Sequence, residues 1–420
     1  MTLPGARIAR SSPDASTDVL VPHPPEWPVY EEETIQCVTR MLRRGRSFDY
    51  GYGDELAALE ETFREYHGRA YALALNSGTS ALLAAFFAVG VAEPDEVVCP
   101  VFTFFSSATP LLMLGGVPVL ADAAARTGNV SAKELVSVTT ERTAAWVVTH
   151  LWGNPCPMDD ILSEAQARRI ALIEDCSHAH GALYRDRPVG SLADISVFSI
   201  GGHKAVSGGL GGMLLTDDPD LYARACLFAN FRHRTDLTID SGAYAPFLQT
   251  GLGGNLRISP TAAVLALEHL NNLDTLVARR QENVGQLIGA LTQLPGIRAV
   301  PLEPGCTTGA WYDGPVEISA DSPIDRDTLV RQLQQRGLKV RTPATRPLHH
   351  YELFRGSAPE WSPRMARAAL TSARINDRRF PQADYLFDHW IRLPVNFLYE
   401  ERSSLPEHYA EAFAEVFGNG

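Results

Sequence analysis

Between about residue 70 and residue 230, short apolar or β-branched runs alternate with stretches of helical character. Strands are expected over 70–75, 96–99, 117–121, 143–149, 170–174, 195–199 and 213–216. Helices are expected over 79–90, 105–114, 159–169 and 219–229. Parallel strands need a crossover, usually a helix, so this alternation predicts an α/β fold with a mostly parallel sheet covered by helices. Sheets of that kind bind ligands at the carboxyl ends of their strands.

At 420 residues and 45% hydrophobic, the chain can bury one large and one smaller core. Residues 1–27 hold prolines, serines and arginines without an apolar h-region, and are expected to be a flexible tail rather than a secretory signal. Residues 28–279 form the expected large domain, with a loop at 230–255 and one long amphipathic helix at 261–277. Residues 280–420 form a smaller α+β domain, broken up by Pro343, Pro347, Pro359 and Pro363. A net charge of −12 leaves no basic excess for a nucleic-acid partner. The longest apolar run, 81–91, is too short to span a bilayer, so no membrane partner is expected. The six cysteines contain no C-x-x-C pair and no metal-like spacing, which fits free thiols in a cytoplasmic protein.

Four segments fall at expected strand ends. Asn76-Ser77-Gly78-Thr79-Ser80 joins a strand to a helix, and serves either as an ordinary N-cap or as a phosphate cup of backbone N–H groups and hydroxyls. Pro100 to Phe105 supplies aromatic rings. Ile173-Glu174-Asp175 ends a strand with a carboxylate, followed by His178 and His180. Asp175 could hold a protonated ring nitrogen or cap a loop, and the D-x-x-H-x-H spacing matches no established metal-ligand pattern. The fourth segment, Ser199 to Lys204, is followed by a run of glycines. Only three lysines occur, Lys133, Lys204 and Lys339, among 37 basic residues. A lysine in a partly desolvated pocket can lose its proton and form a Schiff base, which an arginine cannot. A phosphate cup, an aromatic face, a carboxylate for a pyridinium and an amine for an aldehyde together fit pyridoxal 5′-phosphate (PLP). No Walker motif, no G-x-G-x-x-G after a strand and no nucleophile elbow competes.

The ordered set resembles the DegT/DnrJ/EryC1/StrS sugar and cyclitol aminotransferases, which are fold type I PLP enzymes. The residues that carry it are Asn76 to Leu82, Pro100 to Phe104, His150-Leu151-Trp152-Gly153, Glu174 to Ala182, and Ser199 through Gly212. The resemblance implies a Schiff base on Lys204, with the same lysine moving a proton during transfer. It implies Asp175 against the pyridine nitrogen, His178 near the ring hydroxyl and Phe104 stacked on the ring. Gly78, Thr79 and Ser199 would hold the phosphate. Asn255 resembles an asparagine that reaches the phosphate of the neighbouring subunit, so a homodimer with shared sites is implied. The family usually has an acidic residue before the paired glycines that follow the lysine, and Leu210 stands there instead. The segment from Glu174 and the Arg346-Pro347-Leu348-His349 stretch look most like inosose and cyclitol aminotransferases. Amination of a keto-cyclitol or keto-sugar by glutamine or glutamate, in antibiotic or other secondary metabolism, is the implied reaction. Related dehydratases place histidine at the lysine position, and a non-catalytic regulator on the same fold would lack the lysine or carry a fused DNA-binding segment. Arg232, Arg234 and Arg257 are candidate contacts for the donor's carboxylate.

Overall fold

The computed structural model describes residues 23–45, 52–240 and 242–418. Its central sheet has seven strands: β1 (Tyr71–Leu75), β2 (Glu96–Pro100), β3 (Val117–Ala121), β4 (Thr143–Thr149), β5 (Ala171–Asp175), β8 (Ile195–Ser199) and β9 (Gly212–Thr216). A hairpin of β6 (Leu183–Tyr184) and β7 (Arg187–Pro188) follows β5, and pairs with β11 (Cys306–Thr307). The order across the large sheet is β1-β9-β8-β5-β4-β2-β3. Only β9 runs antiparallel to its neighbours.

Helices cover both faces, so the strands read as nearly continuous apolar runs rather than as alternating ones. Successive residues of β4 show the division. Trp146 and Val148 enter one core with Phe63, Phe198 and Leu270, while Ala145 and Val147 enter the other with Leu82, Phe86 and Leu227. A second, antiparallel sheet, β10 (Ile297–Ala299), β12 (Gly314–Ile318) and β13 (Trp390–Leu393), has its own core with Val284, Leu287, Tyr409 and Phe413.

Several elements differ from the sequence expectation. The helix expected over 105–114 is a 3-10 turn, Phe105–Ser107, and a short helix, Leu111–Leu114. Pro110 between them lacks the N–H that a continuous helix requires. The long helix expected over 261–277 is two, Pro260–Asn271 and Leu273–Leu291. They are joined at Asn272, whose side chain donates to the Glu268 carbonyl. The helix Leu273–Leu291 runs through the boundary expected between residues 279 and 280. The expected loop at 230–255 contains a helix, His233–Thr238, and a 3-10 turn, Gly242–Phe247. Pro363 opens the helix Pro363–Ile375 rather than interrupting structure, as suits proline at a first helical turn.

The expected tail lies mostly outside the described residues, but its last part is packed. Trp27 is buried, its backbone N–H donates to the Asn396 carbonyl, and its indole N–H donates to the Lys204 carbonyl at 2.9 Å. The loop that carries Lys204 is thus strapped from below. No helix among the described residues is long and apolar enough to cross a membrane.

Candidate active site

The carboxyl ends of β1, β2, β4, β5 and β8 open onto a cavity of about 370 Å³. Gly78, Thr79, Phe104, Asp175, His178, Ser199 and Lys204 all line it. Asn255 does not; it is exposed outside the cavity and accepts a hydrogen bond from Arg257 Nε at 2.8 Å. A larger cleft of about 690 Å³ beside Arg355, Arg374 and Arg378 contains none of these residues and no lysine.

The candidate phosphate cup is built from close approach. Gly78 opens the helix Gly78–Ala88, whose first N–H groups have no intrahelical acceptor. A Cβ on Gly78 would lie 2.9 Å from Ser199 Cβ, so only glycine lets this helix start against β8. Gly212, at the start of β9, pairs in register with both Leu75 and Ser199. A Cβ there would meet the Ser77 carbonyl oxygen at 2.3 Å and the Gly78 nitrogen at 2.7 Å. The hydroxyls of Thr79 and Ser199 flank the cup, and Thr79 Oγ1 donates to Ser106 Oγ.

Asp175 is buried at the end of β5. Its Oδ1 accepts from the Ser177 N–H at 3.1 Å and its Oδ2 from Ser107 Oγ at 2.7 Å. Behind Ser107, the hydroxyls of Thr103 and Thr149 continue a chain of hydrogen bonds. The neighbouring Glu174 faces away from the cavity. Burial alone would raise its pKa, but His150, the Ala193 N–H and the Ser196 hydroxyl hold it at about 2. Glu174 also accepts from the N–H groups of Gly190 and Leu192, which makes it a structural anchor for the loop before β8.

Lys204 is partly buried, with Nζ 3.8 Å from the Tyr312 ring centroid. Burial pushes its ammonium down to about 8, although Asp175 and Asp313 favour the charged form. His178 stacks on the same Tyr312 ring, with centroids 4.0 Å apart and the two planes nearly parallel at 3°. Burial, and then the charges of Lys204 and Arg392, push His178 far below the ordinary histidine value. Its Nδ1 accepts from the Trp152 N–H, so the neutral ring carries its proton on Nε2. Phe104 keeps 44% of its surface exposed, presenting an aromatic ring to the cavity. Leu210 sits at the rim, 75% exposed.

Tyr312, Asp313 and Arg392 escaped sequence reasoning. Asp313 directly precedes β12 and Arg392 lies on β13, so both come from the small sheet, with no local motif to mark them. The sequence candidates for an anion contact lie elsewhere. Arg234 is buried against Glu60, and neither Arg232 nor Arg257 lines the cavity. Asp175, His178 and His180 do not converge as metal ligands, because His180 Nε2 turns to the Ser199 carbonyl.

The donor set fits PLP: a helix start and hydroxyls for a phosphate, a ring face, a buried carboxylate and an amine of lowered pKa. With the family and structural matches that follow, strand-end placement on this sheet identifies a fold type I PLP enzyme. The chain belongs to the DegT/DnrJ/EryC1/StrS aminotransferase family, whose sequence profile matches residues 28–376. It is therefore a PLP-dependent aminotransferase. It is 33% identical over 410 residues to the L-glutamine:scyllo-inosose aminotransferase of Streptomyces griseus, covering 94% of each chain. Similarity to Protein MosB of Rhizobium meliloti is 32% over 281 residues, spanning 65% of this chain and 55% of that protein. The X-ray structure of the aminotransferase from Psychrobacter cryohalolentis superposes with a TM-score of 0.83 at 26% identity, covering 95% of this chain and 99% of that one.

Proposed function

We propose that this aminotransferase moves an amino group from glutamine or glutamate to a ketone on a cyclitol or sugar, in the cytoplasm, within antibiotic or other secondary metabolism. The observation that carries this reading is similarity along nearly the whole chain to an enzyme whose name gives L-glutamine as donor and scyllo-inosose as acceptor.

Bound PLP supplies an electron sink next to the nitrogen being transferred. Lys204 Nζ would hold the cofactor at rest and would move the proton released at the substrate carbon. An amine with a pKa of about 8 does this near neutral pH, where an ordinary lysine would stay protonated. The Asp175 carboxylate, oriented by Ser107 and the Ser177 N–H, would keep the pyridine nitrogen protonated. His178, neutral and held flat against Tyr312, would offer its Nε2 proton to the ring hydroxyl. Phe104 would stack on the ring, and Gly78, Thr79 and Ser199 would hold the phosphate. Asn255, exposed outside its own cavity, serves the site of a partner subunit in a homodimer. Lys204 stands where related dehydratases carry histidine, which favours amino transfer over dehydration, deamination or a regulatory role.

The test takes the PLP-loaded protein through two half-reactions. Glutamine or glutamate should convert the bound cofactor to its pyridoxamine form, and a keto-cyclitol or keto-sugar should return it to the aldehyde form. Faster return with pyruvate or oxaloacetate than with any cyclic ketone would mark a general amino-acid enzyme instead.

A further inference from the structure

An aminotransferase of this kind must admit two unlike ligands to one cavity in turn, an anionic amino acid and a neutral polyhydroxylated ketone. Arg392 is the one arginine lining the cavity among the described residues. Its Nη1 lies 3.0 Å from Asp313 Oδ2, and the two side chains are only 17% and 13% exposed. The Arg392 Nε is buried with no hydrogen-bond partner among the described residues, so the guanidinium fork is only partly used. A guanidinium binds a carboxylate best through two parallel N–H groups. Left without a counter-charge while a neutral ketone is bound, it would carry the full cost of a desolvated, unpaired ion.

We propose that Asp313 is a built-in stand-in for the donor's carboxylate, and that Arg392 exchanges between the two. With the neutral ketone bound, Asp313 neutralises Arg392. When the amino donor enters, its carboxylate takes the fork and Asp313 is displaced, remaining near the positive charges of Lys204 and Arg341. The support for both residues is rigid. Arg392 exchanges backbone hydrogen bonds with Arg341 at 2.7 and 3.2 Å, and β12 pairs with β13 immediately beyond Asp313. Exchange therefore needs rotation of side chains and no shift of the sheet.

This inference rests on the aminotransferase reading, but its test does not depend on which ketone is accepted. Glutarate and glutaramate carry the donor's carboxylate and lack the amino group, so they bind without reacting. Their affinity for the PLP-loaded protein is measured by calorimetry. Arg392→Gln should weaken both by about tenfold or more, the range of a hydrogen bond to a charged group. Asp313→Asn should tighten both, since the competing carboxylate is gone, and should slow only the half-reaction with the ketone. Parental melting temperature and PLP content in both variants control for damage to the fold. Unchanged or weaker binding in Asp313→Asn would make the pair a fixed structural bridge and overturn the exchange. Parental affinity in Arg392→Gln, or no binding to the parent at all, would remove Arg392 as the carboxylate anchor. Failure of every ketone to react, with the glutarate series as expected, would fault the acceptor assignment alone.

Discussion

At Lys204 burial disfavours the ammonium while Asp175 and Asp313 favour it, and burial prevails. The sign has two consequences. The folded chain holds this proton less tightly than the unfolded chain, which titrates near the ordinary 10.5, so the lysine costs stability below about 8 and that cost fades as pH rises towards 10.5. The same shift makes the free amine available earlier. On adding PLP to the apoprotein, the rate at which visible absorbance develops should rise with pH to a half-maximum near 8. A half-maximum near 10.5 instead would show an unperturbed lysine. Lys204 and Asp175 were legible in the sequence because Asp175 ends a strand, Lys204 lies in the loop just beyond one, and each has a residue type that its neighbours do not explain. Tyr312, Asp313 and Arg392 were not, because tertiary packing of the small sheet alone brings Tyr312 and Arg392 to the cavity and sets Asp313 against Arg392.

The strands were the most legible elements, since a run buried on both faces leaves a continuous apolar signature. Helix ends and breaks were less so. Pro110 and Asn272 each divide what apolar spacing alone joins into one helix, and in both cases the cause is local backbone hydrogen bonding rather than hydrophobicity. At the phosphate cup, packing between elements imposes a stricter condition than either element shows alone. Gly212 is where β9 passes within contact of the turn between β1 and the helix that begins at Gly78. Gly212→Ala would press a methyl group on the Ser77 carbonyl, backbone that cannot swing aside. Overpacking of this sort costs about 1–3 kcal/mol. The variant should therefore melt lower and retain less PLP after dialysis. Parental melting temperature and cofactor content would mean that the two elements separate freely.

The whole molecule draws its candidate site from both sheets, with Trp27 bracing the Lys204 loop from outside the cavity, so its parts must be assembled before the chemistry exists. The continuous helix Leu273–Leu291 and the buried Trp27 tie these parts together. A shared site in a homodimer would extend the dependence to a second chain through Asn255. Lys204→Ala and Asn255→Ala homodimers should each be impaired, the first more severely. A mixed dimer would hold one site with both lesions and one with neither, so refolding the two together should restore activity. No rescue, with mixed dimers confirmed by native mass spectrometry, would place Asn255 outside the partner's site. The central claim, that Lys204 is the residue joined to PLP, has a more direct test. Borohydride added to the PLP-loaded protein should abolish the visible absorbance and leave a reduced cofactor adduct on the peptide containing Lys204. An adduct on Lys133 or Lys339, or none on any lysine, would contradict it.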